Sequence, residues 1–156
     1  MTRLLIIDDH AVVRQGLVQA FCDKGFASIE TAGNLKEGRA KIAAFNPEAI
    51  IVDLNLPDGS GLEIVQWVRK HSADVAIVIL SLNDPAQFVK IARSSGANAY
   101  LSKSQSMPEI ISSVIFALSN PGSFTSSLTT DQSPDFDLTP REIEVLYLLA
   151  EGASNL

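Results

Sequence analysis

The sequence predicts an α/β fold, a five-stranded parallel sheet with helices on both faces. Three observations carry this reading. Short apolar runs rich in Ile and Val recur five times in the first three quarters of the chain, and runs of that length read as strands buried on both faces. Segments with helical periodicity separate each run from the next. Strict strand–helix alternation requires crossover connections, which build a parallel sheet between two helical layers.

Each element follows from its residues. Leu4–Ile7 is the first run. In the helix after it, Val13, Leu17, Ala20 and Phe21 share a face, and Gly25 is placed to end it. The second run, Ser28–Thr31, is the weakest. Leu35, Ala40, Ile42, Ala43 and Phe45 predict a second helix, with Asn34 as its N-cap and Pro47 barring continuation. Ala49–Val52 is the third run. A helix from about Gly61 to Lys70 follows, with Leu62, Val65 and Val68 inward and Trp67 packing it on the sheet. The fourth run, Val75–Leu80, leads to a helix between Asp84 and Ser95 with Phe88, Ile91 and Ala92 inward, closed by Gly96. After Ala99–Leu101, the last helix begins near Pro108, a favourable first-turn residue, and carries Ile110, Ile111, Val114, Ile115 and Leu118. The expected strand order is 2-1-3-4-5, as in flavodoxin-like sheets.

Composition changes after this unit. Residues 120–137 are rich in Ser, Thr, Pro and Asp, which is linker chemistry. Helical character returns at Thr139-Pro140-Arg141-Glu142, with Thr139 as N-cap, Pro140 as first helical residue and Glu142 completing a capping box. Ile143, Leu146, Leu149 and Ala150 then share an apolar face that a lone helix cannot bury. The expected organisation is a domain over 1–119, a linker over 120–137 and the start of a second domain over 138–156.

The bulk numbers exclude some classes. At 46% hydrophobic and 19% charged residues, the chain is globular rather than disordered. A net charge of −6 argues against nucleic acid or anionic membrane as a direct partner. That charge is uneven, −1 over residues 1–119 and −5 over the rest. Cys22 is the only cysteine, so no intrachain disulfide forms; its neighbours Leu17, Ala20 and Phe21 suggest a buried, inert thiol. A reducing cytoplasm is the expected compartment. No segment approaches the roughly 20 apolar residues of a membrane span.

The chemistry gathers at strand ends. Asp53 closes the third run, and Asp8-Asp9 follows the first. Open α/β sheets keep their ligand sites at the carboxyl edge of the strands, so three carboxylates reach one rim. Like charges that close repel unless a cation sits among them. A divalent metal is the economical reading, and oxygen ligands favour Mg²⁺, with Mn²⁺ the alternative, over zinc. Ser81 ends the fourth run and Lys103 follows the fifth. A carboxylate can act as a nucleophile toward phosphorus, and phosphoryl transfer requires neutralised oxygens and in-line reactants. Asp53 as phosphoacceptor, Lys103 as point charge and Ser81 as hydrogen-bond donor satisfy those needs. His10 and His71 read as surface residues without a role.

On these residues, positions 1–119 resemble a receiver domain of the bacterial two-component response regulators. The match consists of Asp8-Asp9, Asp53, Pro57 and Gly59 in the next loop, Ser81, Tyr100 and Lys103. The resemblance implies transfer to Asp53 from the phosphohistidine of a sensor histidine kinase. It implies that Asp9 binds Mg²⁺ directly, that Asp8 assists, and that the Asn55 backbone carbonyl completes the protein ligands beside Asp53. Ser81 and Tyr100 take the place of the switch pair, and Asn55 and Asn83 occupy positions that tune phosphoryl lifetime. Phosphorylation is then expected to drive homodimerisation. Ser104 departs from the proline that often follows the lysine in this family.

Residues 138–156 resemble the opening of a LuxR-type helix-turn-helix domain: Leu138-Thr139-Pro140-Arg141-Glu142, Val145-Leu146, Leu149-Ala150-Glu151-Gly152 and Ser154-Asn155. The match is truncated before the recognition helix, and the segment carries a net charge of −2. It lacks the cationic surface that phosphate contacts require. DNA binding is therefore expected only through the missing C-terminal region of a transcription regulator. Two other classes compete. An interaction or dimerisation module with a vestigial pocket is opposed by the intact acids and lysine. A phosphatase of the haloacid dehalogenase type needs a second acid two residues after the nucleophile, where this chain has Asn55. The expected activity is self-catalysed phosphotransfer and dephosphorylation, not enzyme turnover.

Overall fold

The computed structural model describes residues 2–82 and 87–126. In chain order the elements are β1 (Arg3–Ile7), α1 (Ala11–Asp23), β2 (Ser28–Ala32), α2 (Leu35–Phe45), β3 (Ala49–Asp53), β4 (Asn55–Leu56), β5 (Gly59–Ser60), α3 (Gly61–Arg69), β6 (Ala76–Ser81), α4 (Gln87–Ser95), β7 (Ala99–Ser102), α5 (Met107–Ser119) and β8 (Thr125–Ser126). The main sheet runs β2-β1-β3-β6-β7-β8, and every pairing in it is parallel. The five long strands therefore stand in the predicted order. The expected site Asn83, the expected start of the fourth helix at Asp84, and the whole of 138–156 lie outside the described residues.

Strand periodicity splits the core into two layers. Leu5, Ile7, Ile50, Val52, Ile77, Ile79 and Tyr100 face α2, α3 and α4, and Trp67 packs against this layer. Leu4, Ile6, Ile51, Val78, Leu80 and Leu101 face α1 and α5 through Leu17, Phe21, Ile110, Ile111 and Val114. The order reverses between β1 and β3, so their carboxyl ends open a crevice there.

The expected Asn34 cap forms, while Thr139 lies outside the described residues. The Asn34 side chain accepts from the Glu37 N–H at 2.7 Å. Capping boxes join Ser60 to Glu63 and Ser106 to Glu109, with Pro108 in the first turn of α5. Gly25 follows α1 at φ +95°, a conformation that suits a residue without Cβ. Between β3 and α3, a Cβ on Gly61 would run into the Asp53 carbonyl oxygen, so only glycine lets α3 start this close to the strand end.

Several inward assignments were wrong. Cys22 is exposed. Leu17 and Phe21 define the buried face of α1, and the next residue lies about 100° further round the helix. In α4, Val89 and Ala92 are buried while Ile91 is 41% exposed. In α5, Ile115 is exposed and Ala117 takes the inward position. In α2, Ala40 and Ala43 are exposed, and Gly38 lies under Ile7. In each case a dense apolar pattern offered two faces, and contact with the sheet selected one.

The other departure is the sixth strand. The first residues of the expected linker turn back and lay Thr125–Ser126 beside β7. Asn98, 2% exposed, holds this strap. Its amide nitrogen donates to the carbonyls of Pro121 and Ser123 at 2.7 and 3.1 Å. Its carbonyl oxygen accepts from Arg69 Nη2 and the Ile77 N–H, both at 2.9 Å. Phe124 packs on the core, with the Arg93 guanidinium 5.7 Å from its ring centroid.

Asn98→Ala removes all four bonds and leaves buried backbone groups unsatisfied. It is expected to cost about 3 kcal/mol in urea unfolding. Exchange of the Thr125 amide, which donates to the Asn98 carbonyl, is expected to quicken by more than the global loss predicts. An unchanged Thr125 rate would mean that the strap is held by other contacts.

Candidate functional site

β1 and β3 deliver their acids because both strands are apolar until the sheet ends. Asp8 is 1% exposed and Asp53 3%. The Asp8 N–H still donates to the Ala32 carbonyl at 3.0 Å, so its backbone belongs to the ladder while its carboxylate leaves the strand end. The Asp53 Oδ1 accepts from the Asn55 N–H at 3.1 Å. That turn is closed by the β4–β5 hairpin, in which Asn55 pairs with Ser60. The Asn55 backbone thus reaches Asp53 through its N–H.

Lys103 comes from the far side of the crevice. Its N–H donates to the Ser81 carbonyl at 2.7 Å, which fixes the loop after β7 against the end of β6. Its ammonium lies 2.9 Å from Asp53 Oδ2 and 3.0 Å from Asp8 Oδ2. One cation therefore bridges two buried carboxylates. Burial pushes the Asp53 carboxyl above its ordinary value, against the pull of Lys103 and the Asn55 N–H. Burial alone would lower Lys103, but its hydrogen bonds to Asp53 and Asp8 hold it above the ordinary lysine value. The ammonium stays charged because two acids need it.

Ser81 is 2% exposed, and its Oγ has no hydrogen-bond partner. A buried hydroxyl without a partner costs free energy unless a ligand supplies one. Tyr100 is fully buried among the α3 and α4 contacts, with its ring inward. The predicted residues Asp8, Asp9, Asp53 and Lys103 are therefore brought together, and Ser81 stands at the adjoining strand end.

The sequence reading missed His10. Its Nδ1 lies 3.0 Å from Asp8 Oδ1, 3.1 Å from Asp9 Oδ1 and 3.9 Å from Asp53 Oδ2. Ligand-type atoms of Asp8, Asp9, His10 and Asp53 all fall within 4.8 Å of one another. The cluster is thus not purely oxygen. Adjacency to the acidic pair was the available signal, but a residue three past a strand end can point anywhere until the turn is known. With three carboxylates against one ammonium, the cluster carries a formal excess of two negative charges, which fits a divalent cation. Asp58 was missed as well. It serves α2, accepting from the Leu35 and Lys36 N–H groups at 2.8 and 3.1 Å, and these bonds hold its carboxyl below the ordinary range.

Comparison with known proteins identifies the family. Residues 4–115 match the family model of the response regulator receiver domain. The transcriptional regulatory protein MctR of Rhizobium johnstonii is 30% identical over 167 residues, covering 98% of this chain and 75% of that protein. The nitrate/nitrite response regulator protein NarL of Escherichia coli is 28% identical over 165 residues, covering 97% and 76%. The crystal structure of a LuxR-family two-component response regulator from Aurantimonas sp. superposes with TM-score 0.74 at 25% identity, covering 93% of this chain and 99% of that one. A two-component response regulator from Clostridium difficile gives 0.72 at 28% identity, covering 79% and 100%.

Lys103→Met leaves Asp8 and Asp53 buried without their cation. It is expected to destabilise the metal-free protein by about 3 kcal/mol in chemical unfolding. Adding Asp53→Asn in the same chain is expected to recover at least half. A Lys103→Met protein as stable as the parent would show that the bridge is not what makes the acids tolerable.

Proposed function

The chain belongs to the response regulator receiver domain family, and from that premise we propose that Asp53 is its phosphoacceptor. The protein is a receiver of the LuxR-family type, a phosphorylation-controlled regulator of a two-component system. The observation that carries the assignment to Asp53 is the Lys103 ammonium shared between Asp8 and Asp53 on the rim of the sheet.

Asp53 is held by the Asn55 N–H on one oxygen and by Lys103 on the other. An orientation fixed at both oxygens favours in-line approach to a phosphoryl donor. In the transfer, a carboxylate oxygen of Asp53 bonds to phosphorus as the bond to the donor's leaving group breaks. Lys103 follows the charge from the carboxylate to the phosphoryl oxygens, keeping Asp8 as its second partner. The unpartnered Ser81 hydroxyl donates to a phosphoryl oxygen. Asp9 and Asp53 would hold Mg²⁺, or Mn²⁺, with Asp8 assisting and the Asn55 carbonyl as the backbone ligand. The ion, when bound, neutralises charge on the transferring group. Asn55 and Asn83 tune the lifetime of the aspartyl phosphate.

The donor is a sensor histidine kinase. Phosphorylation shifts a two-state equilibrium through Ser81 and Tyr100, since only contacts that differ between the states can shift it. The shifted state forms a homodimer. Residues 138–156 begin a LuxR-type helix-turn-helix domain, and contact with DNA requires the remainder of that domain. Among the described residues no helix is long and apolar enough to cross a membrane.

Incubation with acetyl phosphate is expected to add one phosphoryl group by intact mass, only with Mg²⁺ or Mn²⁺ present and not in Asp53→Asn. No gain under any condition would replace this reading with a vestigial module. Ser81→Ala is expected to accept phosphate but to lose most phosphate-driven dimerisation in ultracentrifugation. Full dimerisation of the labelled Ser81→Ala protein would remove Ser81 from the switch.

A further inference from the structure

We propose that His10 is a nitrogen ligand of the divalent-cation site and tilts its preference from Mg²⁺ toward first-row transition-metal dications. The inference rests on the phosphoacceptor reading in one respect, the presence of a divalent ion among Asp8, Asp9 and Asp53.

Three observations carry it. The first is position. His10 Nδ1 is 3.0 Å from Asp8 Oδ1 and 3.1 Å from Asp9 Oδ1. Neighbouring ligands on an octahedral ion with bonds of about 2.1 Å are separated by about 3 Å. The two contacts therefore have the length of coordination edges. The second is the way His10 uses its place in the chain. It is the N-cap of α1, where a side chain ordinarily accepts from the first turn, yet its ring makes no such bond. The ring is turned to the acids instead, with Nδ1 also 3.3 Å from Lys103 Nζ, although its side chain is 53% exposed and packing does not force it inward. The third is restraint. The His10 N–H donates to Asp8 Oδ1 at 2.8 Å, so backbone and ring are both registered on the same carboxylate.

The consequence is chemical. Mg²⁺ prefers oxygen and gains little from imidazole. Transition-metal dications gain from a nitrogen ligand, and the gain grows from Mn²⁺ toward Ni²⁺. A ring that served only as a hydrogen-bond donor to the carboxylates would support all of these ions alike.

The test compares the full chain with His10→Ala, each titrated with Mg²⁺, Mn²⁺ and Ni²⁺ at pH 8, with pulsed electron paramagnetic resonance on the Mn²⁺ forms. The lack of a side-chain cap bond makes His10→Ala a mild substitution for folding, and circular dichroism checks it. The expected result is ¹⁴N coupling to Mn²⁺ in the parent and none in His10→Ala. Ni²⁺ affinity is expected to fall by about tenfold or more and Mg²⁺ affinity to change by less than about twofold. Absence of ¹⁴N coupling in the parent, or equal loss for Mg²⁺ and Ni²⁺, overturns the proposal. Mg²⁺ binding and Mg²⁺-dependent labelling of Asp53 in that same protein would leave the phosphoacceptor reading standing. A folded parent that binds none of the three ions sinks both.

Discussion

The crevice depends on one constraint, that buried carboxylates cannot stand together without positive charge. Removing Asp8 and Asp53 from water costs several kcal/mol for each ion, and their repulsion adds to it. Lys103 answers both acids at once from the opposite side of the crevice. This is why the ends of β1, β3 and β7 must meet, and why the loop after β7 is tied to the Ser81 carbonyl. Even so, the acids outnumber the ammonium. The residual negative charge suits the site to a cation.

The rest of the fold is arranged to make that rim rigid. The apolar strands are buried on both faces, so the acids sit at the ends of elements packed from both sides. Gly61 lets α3 begin against the Asp53 carbonyl. Around the corner, Asn98 satisfies all its bonding capacity between α3, β6 and the strap that carries β8. Tyr100 lies in β7 between that strap and β6, two residues from Asn98 and three from Lys103. The strand that pairs with the β8 edge is therefore the same strand that delivers Lys103 to the site. Any change in β7 reaches both.

Much of the site was legible because its residues sit next to strands whose ends are visible in the sequence. Asp8, Asp53 and Ser81 each follow an apolar run directly and Lys103 follows one after a single serine, so naming the run places the residue. His10 was not legible in that way. It is removed from β1 by two residues, and the turn into α1 decides its direction. Asp58 and Asn98 were missed for a related reason. Each satisfies backbone groups distant in sequence, Leu35 and Lys36 for one and Pro121 and Ser123 for the other, and local pattern says nothing about such partners.

The amino-acid sequence by itself determined the alternation of strands and helices, the caps at Asn34 and Pro108, the strand order and the rim on which the acids stand. The elements and caps follow from periodicity and residue-specific backbone preferences, which are local, and the order from the rules that govern strand–helix–strand crossovers. Tertiary structure alone decided which of two apolar faces α2, α4 and α5 would bury, that Thr125–Ser126 would join the sheet, and that an imidazole would enter the acidic cluster. Those outcomes depend on which surface lies opposite a side chain, and that is settled only when segments far apart in sequence exclude water between them.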